Sequence, residues 1–357
     1  MFIYSKLLKD ELAQIKLEKY IVLYFAVYNS EPAFYLFFFE KILRFKFIEI
    51  LLTKNKSIIL SNVILKNMVN RRNFLKSSAA VVVGGLVADQ LATSCTPTSK
   101  KKIGLQLYSL RDAIKDDVKG TLKKVAEMGY STVETAGYND GKVYGLAPIE
   151  FKKIVEDLGM KVSSAHVVQV FMKEKEAEIM EWWKKASGAH AVLGVKYLVQ
   201  AFMPVNEQTT MDEIKLYCDY YNNVGYITAA AGGIGFGYHN HSFEFRKIGE
   251  KLIYDFMLEN TSPNHVFFEM DVYWITEGGQ SAAGYINKYT DRFPVLHIKD
   301  EKELGVSGKM DFKPIFEAAY SKGLKEYYVE VEKYTGNDPF LSVKQSFDYL
   351  ANAEYVK

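Results

Sequence analysis

Along the second half of the chain, apolar and polar residues alternate with a period of two, as in strands whose successive side chains face opposite sides of a sheet. In HVFFEMDVYW, Phe268 and Met270 fall on one face and Glu269 and Asp271 on the other. FPVLHIKD sets Leu296 and Ile298 against His297 and Lys299, and EYYVEVEKY sets Val329 and Val331 against Tyr328, Glu330 and Glu332. FGYHNH places Phe236 and Tyr238 on its apolar face. The apolar faces should meet a layer of helices, and the polar ones should meet each other. Buried polar groups are costly without partners, so successive strands with polar inner faces predict a binding site.

From Ile103 onward, strand-like and helix-like segments alternate, which predicts a parallel sheet covered by helices. KIGLQLYSL, STVETA, KVSSAHV and KYLVQAF read as the first four strands. Helices are expected over Asp117 to Met128, Pro148 to Leu158, a segment through Trp182 and Trp183, Met211 to Ala231, MDFKPIFEAAYSKG, and Asp338 to Leu350. Gly129 and Gly159 stand where helices commonly end. The four alternating strands complete eight units in about 250 residues, the size of an α/β (β/α)8 TIM barrel. His241, Asp271, His297 and Glu330 recur at intervals of 30, 26 and 33 residues, the length of a strand plus its crossover helix. Closure into a ring would bring these strand ends to one mouth, where they can share a divalent ion.

The opening of the chain follows none of this. All 24 glycines lie at Gly84 or later, and residues 1–67 are dominated by Lys, Ile, Leu, Phe and Tyr. An apolar stretch from Tyr20 to Phe39 is interrupted by Asn29, Ser30, Glu31 and Pro32, which a spanning helix tolerates poorly. Residues 1–67 are read as an over-extended start, with a disordered or membrane segment as the alternative and Met68 as the initiator. Residues 68–95 resemble a twin-arginine leader, with Arg71, Arg72, Asn73, Phe74, Leu75 and Lys76 before an apolar run from Ala79 to Ala88. ATSC resembles a lipoprotein cleavage box that would leave a lipid anchor on Cys95, although Ala92 stands where such boxes favour Leu. The expected location is therefore exported, as a periplasmic protein or membrane-anchored lipoprotein, or cytoplasmic if the leader is not functional. Residues 96–102 read as a linker and 103–357 as the barrel.

Composition narrows little. A 48% hydrophobic content supports a full core, and a net charge of +2 argues neither for nor against nucleic acid. Two cysteines, Cys95 and Cys218, make no disulfide framework and no CxxC pair. The glycines of GIGFG lead into a strand and lack the strand-then-helix setting of a dinucleotide loop.

GYHNHSFEF, FFEMDVYW, LHIKD, YYVEVE, GLQLYSLRD and VSSAH together resemble the sugar phosphate isomerase/epimerase group of xylose isomerase-like barrels, which also holds inosose dehydratases and endonuclease IV. The resemblance covers essentially everything after residue 102. It implies a divalent ion, usually manganese, held by an acidic residue on strand five, an Asp on six, a His on seven and a Glu on eight. Carried onto this chain, those positions imply Asp271, His297 and Glu330 as ligands. On strand five the chain has histidine, with His241 the first choice and His239 and Glu244 the alternatives. A mixed His and carboxylate set suits manganese, zinc, iron or cobalt better than magnesium. The implied chemistry is proton transfer through an enediolate, with isomerase or epimerase ahead of a lyase or dehydratase of oxidised sugars or glycosides.

Glu330, Glu134, His166 and Lys299 are candidates for proton transfer, and Trp274, Glu244, His239, Tyr108 and Glu332 for binding the sugar. Each has a plainer reading. Glu134 and His166 could be hydrogen-bonded within the barrel, Lys299 could only neutralise Glu332 or Glu269, and most aromatics must be core. His190 and His265 are expected to be structural. A DNA-repair role like that of endonuclease IV is disfavoured by the presence of only six histidines. A non-catalytic sugar-binding barrel is the remaining class. The expected partner is a small sugar and no nucleic acid; a homo-oligomer is compatible with the sequence.

Overall fold

The computed structural model describes residues 101–357. The expected N-terminal extension, leader and Cys95 anchor lie outside the described residues. Eight strands close into one parallel barrel: β1 Gly104–Gln106, β2 Thr132–Thr135, β3 Lys161–Val167, β4 Tyr197–Gln200, β5 Gly235–His239, β6 Val266–Asp271, β7 Val295–Lys299 and β8 Glu326–Glu330. Each pairs with its neighbours in sequence, and β1 closes the ring against β8. Among the described residues, no helix is long and apolar enough to cross a membrane.

Alternation sorts the strands as expected. Phe268, Met270, Leu296, Ile298 and Val329 are fully buried in the layer between barrel and helices. Register then sets the inner face: Asp271 pairs with His297, Lys299 with Glu330, His239 with Glu269, and Gln106 with Glu134. Strand ends far apart in sequence become neighbours across single hydrogen-bonded rungs. At the opposite end of the barrel, the Tyr328 hydroxyl lies 2.7 Å from both Ser163 Oγ and Glu326 Oε2.

Two features depart from the sequence reading. The first strand covers only Gly104–Gln106, where KIGLQLYSL suggested a longer one. Gln106 Oε1 accepts from the Tyr108 amide at 3.0 Å and turns the chain into a 3-10 segment, Leu107–Leu110, followed by a short helix, Arg111–Asp116. Small hairpins, Tyr138–Asn139 with Lys142–Val143 and Lys247–Ile248 with Lys251–Leu252, also interrupt the βα rhythm.

The long helix Met211–Ala230 begins on a capping box, Thr210 with Glu213. It keeps Gly225 in its interior although glycine costs about 1 kcal/mol there relative to alanine. A Cβ at Gly225 would stand 2.1 Å from the His265 carbonyl oxygen, so only glycine allows the helix to approach the start of β6. Gly188, in the helix Glu176–Leu193, has nothing within 4 Å of an added Cβ. Gly225→Ala should therefore destabilise by about 1–3 kcal/mol through overpacking. Gly188→Ala should stabilise by up to about 1 kcal/mol. Urea unfolding of the two variants checks the opposite signs.

Candidate metal centre

Four carboxylates and three imidazoles meet inside the barrel: Glu134 from β2, His166 from β3, His239 from β5, Glu269 and Asp271 from β6, His297 from β7 and Glu330 from β8. All are buried. They form two groups that share His297, and within each group one ligand atom per residue lies within 4.8 Å of all the others.

The first group is a ring of alternating acid and imidazole. Glu134 Oε2 lies 2.6 Å from His297 Nε2, and Glu269 Oε2 lies 2.5 Å from His166 Nε2. The cross contacts, His297 to Glu269 and His166 to Glu134, are 3.3 and 3.4 Å. Glu134 also accepts from Gln106 Nε2 at 2.6 Å and from Ser164 Oγ at 2.5 Å. The His166 and His297 rings stack, 4.8 Å between centroids. Contacts of 2.5–2.6 Å pair each acid with an imidazole by hydrogen bonding and are closer than the roughly 3.3 Å between neighbouring ligands of one tetrahedral ion.

The second group is His239, Asp271, His297 and Glu330. Its measured edges are wider, with His239 Nε2 to Asp271 Oδ2 at 3.5 Å and His297 Nδ1 to Glu330 Oε2 at 3.3 Å. Ligands bound about 2.0–2.2 Å from one tetrahedral ion stand roughly 3.3–3.6 Å apart. Both ring nitrogens of His239 and Oδ2 of Asp271 are buried with no hydrogen-bond partner, a costly condition that a shared cation relieves. Asp271 Oδ1 is already committed, capping the helix Val272–Glu277 through the amides of Tyr273 and Trp274 at 2.9 and 2.8 Å. The donor set fits a divalent ion.

Electrostatics agree with this division. Burial, reinforced by Glu330 and opposed by Lys299, pushes Asp271 up to about 7. Burial, with His297 and His166 beside it, holds His239 well below the usual imidazole range, as a neutral ligand must be. In the ring, burial pulls His166 and His297 down, but Glu134 and Glu269 outweigh it and raise both. Burial raises Glu330, but Lys299 and His297 outweigh it and hold the carboxyl below its ordinary value. Lys299 Nζ lies 3.1 Å from Glu330, 2.7 Å from Glu332 and 4.8 Å from the Trp274 ring centroid.

His239 takes the place in the group where the sequence favoured His241. The strand ends at His239, and beyond it the ring of His241 stacks on Phe243 at 5.2 Å, outside the four-residue group. Glu244, expected to meet the sugar, is fully buried and uses its oxygens on the Tyr238 hydroxyl at 2.5 Å and the His241 amide at 2.8 Å. Burial pushes its carboxyl up to about 7. Lys299 neutralises Glu330 and Glu332 and makes no ion pair with Glu269. Tyr108 is exposed and carries the Arg111 guanidinium over its ring. Glu269 was recognised as inward-facing but not assigned to the site. Gln106 and Ser164 were missed, being neutral residues that no ligand pattern singles out.

Fold and site together define a (β/α)8 barrel with a buried His and carboxylate cluster at the C-terminal ends of its strands. The profile of xylose isomerase-like TIM barrels matches residues 122–353, and the chain belongs to that family. A sugar phosphate isomerase/epimerase from Parabacteroides distasonis is 43% identical, with a TM-score of 0.68 over 72% of this chain and 100% of that one. The 3-keto-D-glucoside 4-epimerase of E. coli shares the fold at 20% identity and a TM-score of 0.56, over 71% of this chain and 100% of that one. An inosose dehydratase from Geobacillus thermodenitrificans is 27% identical over 173 residues, 42% of this chain. That match spans 55% of the relative's own length.

A proton on Asp271 competes with the cation. Affinity for Mn(II) should fall as pH is lowered through about 7, where Asp271 takes up that proton, and should go on rising above it because His297, also raised, must give up a proton to bind. Calorimetric titration across pH 5–9 checks the slope. Asp271→Asn and His239→Ala should each lose bound metal on dialysis, as measured by elemental analysis.

Proposed function

We propose that this barrel is a metal-dependent isomerase or epimerase of a keto-sugar, acting through an enediolate. The observation that carries the reading is the second group, with its unpartnered His239 and Asp271 atoms at the strand ends. When bound, a divalent cation would polarise a carbonyl and its neighbouring hydroxyl and so acidify the C–H of the hydroxyl-bearing carbon. Glu330, beside His297 at 3.3 Å and Lys299 at 3.1 Å in the same group, is the carboxylate that takes that proton. His166, 8% exposed and braced by Glu269, stands three strands away and returns a proton from another direction. Trp274, partly exposed over Lys299, offers an apolar face to the sugar ring. Lys299 is already neutralised by Glu330 and Glu332, which favours an unphosphorylated sugar. Such a substrate also suits the export suggested by Arg71 and Arg72.

A lyase is the second reading. His239 occupies the strand-five position where a two-carboxylate mechanism needs an acid. With one carboxylate base at the cation, departure of a leaving group completes the reaction without a second proton-transfer carboxylate. The match to an inosose dehydratase favours the same outcome.

Incubation with Mn(II) and a panel of ketoses in heavy water tests both. Solvent deuterium at the carbon next to the carbonyl is expected, with Glu330→Gln slowing exchange about 10²–10⁴-fold. An unsaturated product assigns the lyase. Sugar binding that is indifferent to chelator and never exchanges protons rejects catalysis.

A further inference from the structure

His297 belongs to both groups, and its two ring nitrogens face different partners. Nδ1 faces Glu330 at 3.3 Å, while Nε2 lies 2.6 Å from Glu134. With a cation bound, the imidazole is neutral, carrying one proton and offering one lone pair, so the nitrogen that binds the cation is the one that its other partner leaves bare. We infer that Glu134 is a positioning residue that accepts the Nε2 proton of His297 and thereby fixes the tautomer whose bare Nδ1 faces Glu330 and the cation. The inference rests on the second group being the cation site and adds the device that aims its shared ligand.

Three observations support it. Glu134 is fully buried, as is His297, so no solvent competes for the proton between them. Its acceptor orientation is set by two donors, Gln106 Nε2 on Oε2 and Ser164 Oγ on Oε1, from the strands on either side. Its 2.6 Å contact with His297 is shorter than any measured edge of the second group. Carboxylates that brace metal-binding histidines in this manner orient the ring and raise its basicity.

The test uses the full chain with Zn(II), a diamagnetic probe. Nitrogen-15 spectra of histidine-labelled protein, assigned with His297→Gln, should show His297 protonated at Nε2 and bound to zinc through Nδ1. Glu134→Leu should weaken Zn(II) binding about 10–100-fold, while Glu134→Gln, which keeps an acceptor, should retain the tautomer and lose less. Zinc bound at Nε2 overturns the inference, as does unchanged affinity in Glu134→Leu. Should that variant fail to fold, Ser164→Ala decides instead, with weakened zinc binding in support and wild-type affinity against. Zinc bound at Nδ1 with no deuterium exchange on any ketose leaves the inference standing and rejects only the catalytic reading.

Discussion

The structure depends on keeping ionisable groups in a dry barrel close to electrical neutrality. Isolated charges in such a place would cost several kcal/mol each, so groups pair, take up protons or coordinate metal. This barrel shows the first in its contacts, and burial favours the second. Glu134 and Glu330 are held ionised by histidines and Lys299, whereas burial pushes Asp271 and Glu269 toward the protonated form. A proton on Asp271 therefore stands where a ligand to a cation is needed. Loading a divalent ion would be an exchange, in which positive charge enters and protons leave.

The two ends of the barrel divide the work. At the base, the Tyr328 hydroxyl meets Ser163 and Glu326, contacts that close the interior and involve none of the seven clustered groups. At the other end, strand termini present side chains whose hydrogen bonds are incomplete. Gln106 links these regions to the rim. Its Nε2 holds Glu134 while its Oε1 starts the turn that presents Tyr108 to solvent. One amide thus ties the acid ring to the rim through a few covalent bonds, a short rigid path by which rim geometry and ring geometry are set together.

Much of this was legible in the sequence, and what was not has physical causes. Period-two alternation identified the inner faces of β5 to β8 because each strand separates a helical layer from a polar interior. Alternation cannot choose between His239 and His241, which share parity. The choice depends on where the strand ends, and tertiary contacts decide it: Asn240 Oδ1 accepts from the Asp271 amide at 3.1 Å, and Glu244 pins the His241 amide. Glu269 and Asp271 share parity as well, and only barrel geometry separates the one in the ring from the one at the cation. The first strand was read too long because Leu107 and Leu110 continue its apolar character while the Gln106 side chain has already turned the backbone. Ser164 and Gln106 carried no signal, since their role exists only once β1, β2 and β3 are side by side.

Histidine on β5 alters the charge of the centre as well as its ligand list. Two neutral imidazoles, two ionised carboxylates and a divalent ion sum to zero, whereas a third carboxylate would leave one negative charge in the same volume. A less negative donor set would withdraw less from the cation's pull on a bound oxygen, which favours ionising a weakly acidic carbon. His239 also offers no carboxylate to move protons. On the proposed reading, proton transfer therefore falls to groups beside the cation, Glu330 on one side and the His166 and Glu269 pair on the other. His166 is suited to this because Glu269 braces its Nε2 from within the barrel while the ring retains a margin of exposure toward the mouth. On that reading, stronger polarisation at the centre and a histidine rather than a carboxylate as proton carrier would both follow from one residue on β5.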